Sequence, residues 1–234
     1  MDTMAQRKIR FRTYGGGGPQ LVLVPGGPPA ELVAALARTH TVHLLERRGA
    51  GLAAEIDDLA TVLGETGTRN VAGIGSGAVV ALHGALELPR IGLLALYEPP
   101  LRYAGHDPVA WRTRFEKELA AGREAAAFAT ATKGTGRLRA VPRAVLVPLA
   151  AFGRRRPVPA MRRDAVVVED ATGPFDRYRA VHAETLLLGG ARSPAYGKAV
   201  LNGLEVALPR TRRVTLNGSG TPEAVAAELR KFFR

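Results

Sequence analysis

The chain has 234 residues, 46% of them hydrophobic, and a formal net charge of +12. That length suits one well-buried α/β domain rather than two. With no cysteine, disulfides, thiolate metal sites and a cysteine nucleophile are excluded.

The first residues, Met1 to Lys8, lead into no apolar signal segment. No run approaches the roughly 18 apolar residues of a membrane span. The expectation is a cytoplasmic, soluble protein. A first strand is predicted near 9–13, and the glycine run from Gly15 to Gly18 is a turn leading to the next. Further strands are predicted at 21–24, 42–45, 71–74, 91–97, 185–188 and 213–216, with helices at 30–38, 56–63, 76–86 and 222–233. Short Val, Ile and Leu runs alternating with amphipathic stretches predict an α/β fold: a mostly parallel, twisted sheet with helices on both faces. No internal repeat is visible.

From about 101 to 183 the alternation lapses. Asp107 and Pro108 make a good helix start, with Asp as cap and Pro in the first turn, and 109–130 continues as a helix. A second helix near 141–152 is interrupted by Pro142 and Pro148, and a basic, Pro-rich elbow follows at 154–159. The segment is expected to be a mostly helical lid.

Asn70-Val71-Ala72-Gly73-Ile74-Gly75-Ser76-Gly77-Ala78 reads as a buried strand, a very tight turn and a helix, which is the setting of a nucleophile elbow. Such a turn needs small residues two before and two after its apex. Centring on Gly75 supplies Gly73 and Gly77, whereas centring on Ser76 would place the branched Ile74 where it should clash. The frame is therefore G-x-G-x-G, with glycine at the apex.

Here the sequence resembles the α/β-hydrolase superfamily, and more closely a group of small hydrolase-like proteins of high-GC bacteria. Its landmarks are Val22-Leu23-Val24-Pro25-Gly26-Gly27, Glu46-Arg47-Arg48-Gly49-Ala50-Gly51, Gly73-Ile74-Gly75-Ser76-Gly77-Ala78, Tyr97-Glu98-Pro99-Pro100, Gly189-Gly190-Ala191-Arg192-Ser193-Pro194 and Leu216-Asn217-Gly218-Ser219-Gly220-Thr221. The resemblance implies the α/β-hydrolase fold, with a core at 1–100 and 184–234 and a lid at 101–183 inserted after the strand that the fold counts as its sixth. In relatives the elbow usually reads Gly-His-Ser-Ser-Gly. Ser76 then matches the second serine, whose backbone N–H serves the oxyanion hole, and the loop of Gly27 supplies the other N–H. The resemblance also implies a histidine base where Thr221 stands, and no histidine follows His182. A serine hydroxyl needs a base within reach to attack near neutral pH. Losing one member of that pair costs roughly 10⁶ in turnover, so ordinary triad hydrolysis is disfavoured.

Ligands in open α/β sheets bind beyond the carboxyl ends of the strands. Glu98 follows the 91–97 strand, and facing an apolar pocket it would be a general acid or base; the alternative is a carboxylate tied to backbone amides or an arginine. His106, with Tyr103 and Asp107 at the lid entrance, either leans over the pocket or is a solvated helix cap. Ser193 follows the 185–188 strand, Tyr178 is a pocket candidate in the late lid, and Trp111 with Phe115 suits lid packing or an aromatic ligand wall. His43 and His83 read as structural, and His182 lies at the non-catalytic end of its strand.

There is no metal-ligand cluster and no G-x-G-x-x-G opening a helix after a strand, so no cofactor is expected. The basic residues are nearly all Arg, and with many Ala, Gly and Pro they fit GC-rich coding. Their concentration in Arg154-Arg155-Arg156 and Arg162-Arg163 suits an anionic substrate or an acidic carrier protein presenting one. No aromatic interleaving or motif favours nucleic acid. The leading expectation is a non-hydrolytic enzyme, of cyclase, dehydratase, isomerase or lyase type, acting on a small natural-product intermediate. The alternative is a catalytically silent protein that binds a ligand or docks a partner, and a weaker one is residual esterase activity through Ser76.

Overall fold

The computed structural model describes residues 11–135, 141–152 and 158–234. In chain order it holds β1 (Phe11–Tyr14), β2 (Gln20–Val24), α1 (Ala30–Leu36), β3 (Thr41–Leu45), α2 (Leu52–Thr66), β4 (Asn70–Ile74), α3 (Ser76–Glu87) and β5 (Leu93–Tyr97). Four helices follow, α4 (Arg112–Ala120), α5 (Glu124–Gly134), α6 (Arg143–Phe152) and α7 (Val158–Asp170), then a 3-10 turn at Phe175–Ala180. β6 (Glu184–Gly190), α8 (Ala195–Ala207), β7 (Thr211–Leu216) and α9 (Pro222–Phe232) complete the chain.

The strands form one sheet in the order β1-β3-β2-β4-β5-β6-β7. β1 runs antiparallel to β3, and the other pairings are parallel. Leu21 to Val24 are all fully buried, because a parallel strand covered on both faces must be apolar on both. Side-chain alternation then divides the core: Val22, Val71 and Leu187 face α2, α3, α7 and α8, while Leu23, Ala72 and Leu186 face α1 and α9.

The helices between β5 and β6 behave as two layers. Ala165, Val167 and Val168 of α7 belong to the main core beside α3. Phe115, Ala127 and Ala131 build a separate small core with Val158 and the partly buried Trp111.

Two expectations for this segment are corrected. The single helix over 109–130 is two helices, because Gly122 adopts the left-handed conformation (φ 69°) between α4 and α5. Pro148 lies inside α6 without ending it; the missing N–H removes one hydrogen bond of the ladder. The run Arg154-Arg155-Arg156 lies outside the described residues. Arg162 and Arg163, on α7, pair with Glu116 (2.9 Å) and Asp164 (3.3 Å) respectively. No helix among the described residues is long and apolar enough to cross a membrane.

Candidate active site

β4 ends at Ile74 and α3 begins at Ser76, with Gly75 alone between them at φ 55°, ψ −124°. A Cβ at Gly73 would stand 2.4 Å from Ala78 Cα, and one at Gly77 would stand 2.1 Å from Val24 O. At Gly75 the nearest atom to a new Cβ is Gly26 O at 3.4 Å, so the apex has room for a side chain that its flanks lack. The Gly75 N–H donates to Tyr97 O (2.9 Å) and Gly75 O accepts from Ala78 N (2.9 Å), fixing the turn between two strands and the helix. Gly26 presses against it, since a Cβ there would meet Ile74 O at 2.2 Å and Ser76 N at 2.5 Å.

Ser76 opens α3, where the first N–H groups of a helix have no partner within the helix and carry its positive dipole end. Its N–H is thus placed to meet a negative oxygen. Its hydroxyl is engaged otherwise: Ser76 is 6% exposed, and Oγ accepts from Arg47 Nη1 at 2.8 Å. The same nitrogen donates to Pro25 O (2.9 Å) and Asp164 Oδ1 (2.8 Å), and Arg47 Nε donates to Glu55 Oε2. Arg47 and Glu55 side chains are each 1% exposed. Asp164 belongs to α7, so the segment between β5 and β6 is tied directly beneath the elbow. Residue spacing gave no sign of this ion cluster, although Arg47 lies in a motif that the sequence displays.

Beside the elbow, on the α1 and α9 side, lies a cleft of about 170 Å³ lined by Pro25, Gly26, Gly27, Pro28, Pro29, Leu32, Ile74, Tyr97, Gly220, Pro222 and Val225. Its lining is mostly apolar and includes Gly27. The Tyr97 hydroxyl donates to Ser219 O, and burial, then the nearby Glu98 charge, push that phenol up to about 12. Thr221 sits between the lining residues Gly220 and Pro222, but its exposed hydroxyl caps α9 by accepting from Ala224 N at 3.2 Å.

Glu98 does follow β5, in a left-handed backbone conformation (φ 46°). Its Oε1 accepts from Gly190 N (3.0 Å) and from the Ser193 hydroxyl, so the tied alternative holds and the free carboxylate in an apolar pocket does not. Ser193 is therefore its clamp, as well as an acceptor for Gly190 N at 3.0 Å. His106 is exposed and stacks on Tyr196 of α8, with centroids 3.8 Å apart. A short antiparallel bridge joins Tyr103 and His106 before the helices begin. Asp107 accepts from Val109 N at 3.0 Å within a turn, but it does not cap the helix as expected: α4 begins only at Arg112, with Trp111 at its N-cap position and no side-chain cap.

Tyr103 packs on Phe175 (4.5 Å), and Phe175 on Tyr178 (5.4 Å), forming an aromatic layer under α8. Trp111 packs edge-on against Phe115 (5.3 Å) and lies against Gly134, so it bridges the small helical core and the main one. Tyr178 is 1% exposed and pairs with His83 (3.2 Å), and Arg177 Nη2 contacts His83 Nε2 at 2.9 Å and Tyr178 Oη at 3.0 Å. Burial, then the Arg177 charge, lower His83 from 6.5 to about 4, so the folded state holds a neutral ring with Nε2 as acceptor. Between those values the unfolded chain binds the proton that the folded chain refuses. Stability is therefore full above the unfolded value and is lost as pH falls from about 6.5 towards about 4, by at most about 3 kcal/mol. Urea titrations at pH 7 and pH 4 should show that loss, and His83→Gln should reduce it.

The other histidines have partners elsewhere or face solvent. His40 pairs with Thr39, His43 with Thr13 and Gln20, and His182 is exposed just before β6. Among the described residues no group of three or more His, Asp or Glu gathers as a metal site.

A seven-stranded sheet with one antiparallel edge strand, helices on both faces and a strand-glycine-helix elbow at the carboxyl ends of the strands defines a protein of hydrolase architecture. A crystal structure of an α/β hydrolase from Sphaerobacter thermophilus is 30% identical, with a TM-score of 0.78 over 97% of this chain and 96% of that one. The chain belongs to the α/β-hydrolase superfamily. The enol-lactonase from Burkholderia xenovorans (20% identity, TM-score 0.69, 96% of this chain and 95% of that chain) and a hydrolase from Pseudomonas aeruginosa (21%, 0.67, 95% and 92%) share the fold. No protein-family model and no curated protein matches the sequence.

Proposed function

We propose that this is a triad-deficient member of the superfamily which binds a small, largely apolar molecule at the elbow cleft and does not hydrolyse it. One observation carries the reading: the apex of the elbow is Gly75, and the hydroxyl of the next residue, Ser76, is buried and held by the Arg47 guanidinium. The N–H groups near Gly27 and Ser76 can still hold a carbonyl or anionic oxygen without a nucleophile. The helical segment at 101–183 is the lid in this reading. Native mass spectrometry of the protein after exposure to small-molecule extract from its source tests it, with each bound mass compared with its free input. Capture of an unchanged molecule supports the proposal, and release of hydrolysed product contradicts it.

A second reading is a non-hydrolytic enzyme, and Glu98 is what favours it. Only Oε1 is clamped by Gly190 and Ser193; Oε2 takes no hydrogen bond among the described residues and remains able to move a proton. In this reading the captured molecule emerges dehydrated or isomerised. Glu98→Gln keeps an acceptor for Gly190 N and Ser193, so the variant should fold normally and lose turnover by about 10²-fold or more. Unchanged turnover, measured on the product so identified, would remove Glu98 from the chemistry.

A further inference from the structure

Away from the elbow, a cavity of about 290 Å³ opens between α8 and the last two strands of the sheet. Its floor is the backbone of Gly189 and Gly190, and Leu201 of α8 forms an apolar wall. Gly189 is bare because a Cβ there would stand 2.4 Å from Leu201 Cδ1. Two cations border the space, Lys198 on α8 and Arg213 on β7, and Thr215 adds a hydroxyl. The Arg213 side chain is held in place by Asn202 Oδ1 (2.5 Å) and Glu205 Oε2 (3.2 Å). Lys198 is exposed and has no carboxylate partner among the described residues. With Glu205 offsetting one of the two cations, the cavity carries one uncompensated positive charge beside an apolar wall.

We propose that this cavity is a second binding site, which takes a small organic anion, a carboxylate or a phosphate monoester with a short apolar part. The volume lies just below the roughly 300–1,000 Å³ that small-molecule sites span, which limits the ligand to a small one. The head group sits between Lys198 and Arg213, where hydrogen bonds from ionised donors are about twice as strong as neutral ones, and the apolar part lies on Leu201 and the glycine floor. Glu98 borders the same glycine floor: its Oε1 accepts from Gly190 N, and its Cγ would stand 3.9 Å from a Cβ at Gly189. The site stands whether or not the elbow is catalytic.

Isothermal titration of the full chain with phenyl phosphate and with benzoate, at low ionic strength, tests the proposal. Saturable one-to-one binding of either probe is expected, weakened about tenfold or more by Lys198→Ala. Arg38→Ala, which removes the same charge from an exposed position outside the cavity, should bind as the native protein does. Whichever probe binds tighter identifies the head group. No saturable binding of either up to about 10 mM, or equal weakening by Lys198→Ala and Arg38→Ala, overturns the site.

Discussion

Gly77→Ala should be severely destabilising. The new Cβ would stand 2.1 Å from Val24 O and 2.6 Å from Val24 C, both backbone atoms of a central strand in which Leu21 to Val24 are fully buried. No flexible side chain can yield, so β2 or α3 must move, and the sheet register with them. Overpacking of ordinary cores costs about 1–3 kcal/mol; a clash with fixed backbone should exceed about 4 kcal/mol, against a total stability of about 5–15 kcal/mol. Gly73→Ala meets Ala78 Cα at 2.4 Å and should behave alike. Gly75→Ala is the contrast, since its nearest neighbour is 3.4 Å away. Only its unusual backbone conformation opposes a side chain, at about 1–3 kcal/mol. Urea denaturation of the three variants reads the frame of the elbow directly. Similar losses at 75 and 77, or a mild loss at 77, would refute it.

Arg47→Ala should cost about 3–5 kcal/mol, the range for removing one partner of a buried ion pair. It strands the Glu55 carboxylate at 1% exposure and takes a donor from Pro25 O, Ser76 Oγ and Asp164 Oδ1 at once. Arg47→Met combined with Glu55→Leu should recover much of the loss, because the double change removes both charges and fills the space. The coupling energy from a double-mutant cycle in urea measures this. A loss below about 1 kcal/mol for Arg47→Ala would mean that the cluster is not a structural tie. The variant also frees the Ser76 hydroxyl and loosens the hold of α7 on the elbow, since Asp164 loses its contact.

The elbow was legible because its demands are local: a strand, one residue and a helix leave no space for side chains at Gly73 and Gly77, and those residues are adjacent in the chain. The central strands were legible as continuous apolar runs. The ion cluster was not, because Asp164 reaches Arg47 across 117 residues and no periodic pattern marks such a pair. α8 escaped notice because Gly197, Asn202 and Gly203 dilute its helical pattern; Gly203 is there to admit the Tyr103 ring, 2.6 Å from where a Cβ would stand. His106 is exposed, as one of its two readings has it, but its stacking partner Tyr196 lies far along the chain and no local pattern marks it. Glu98 was found by its position after β5, whereas its state depends on Gly190 and Ser193. Local geometry is written in neighbouring residues; electrostatic partners are chosen by the fold.

The measurement closest to the central claim is intact-mass analysis of the native protein after prolonged exposure to a fluorophosphonate, which reports a serine activated at the elbow. With Gly75 at the apex and the Ser76 hydroxyl accepting from Arg47, the mass should remain unchanged. A stoichiometric adduct mapped to Ser76 by peptide sequencing would show that the hydroxyl is nucleophilic after all and would contradict the account.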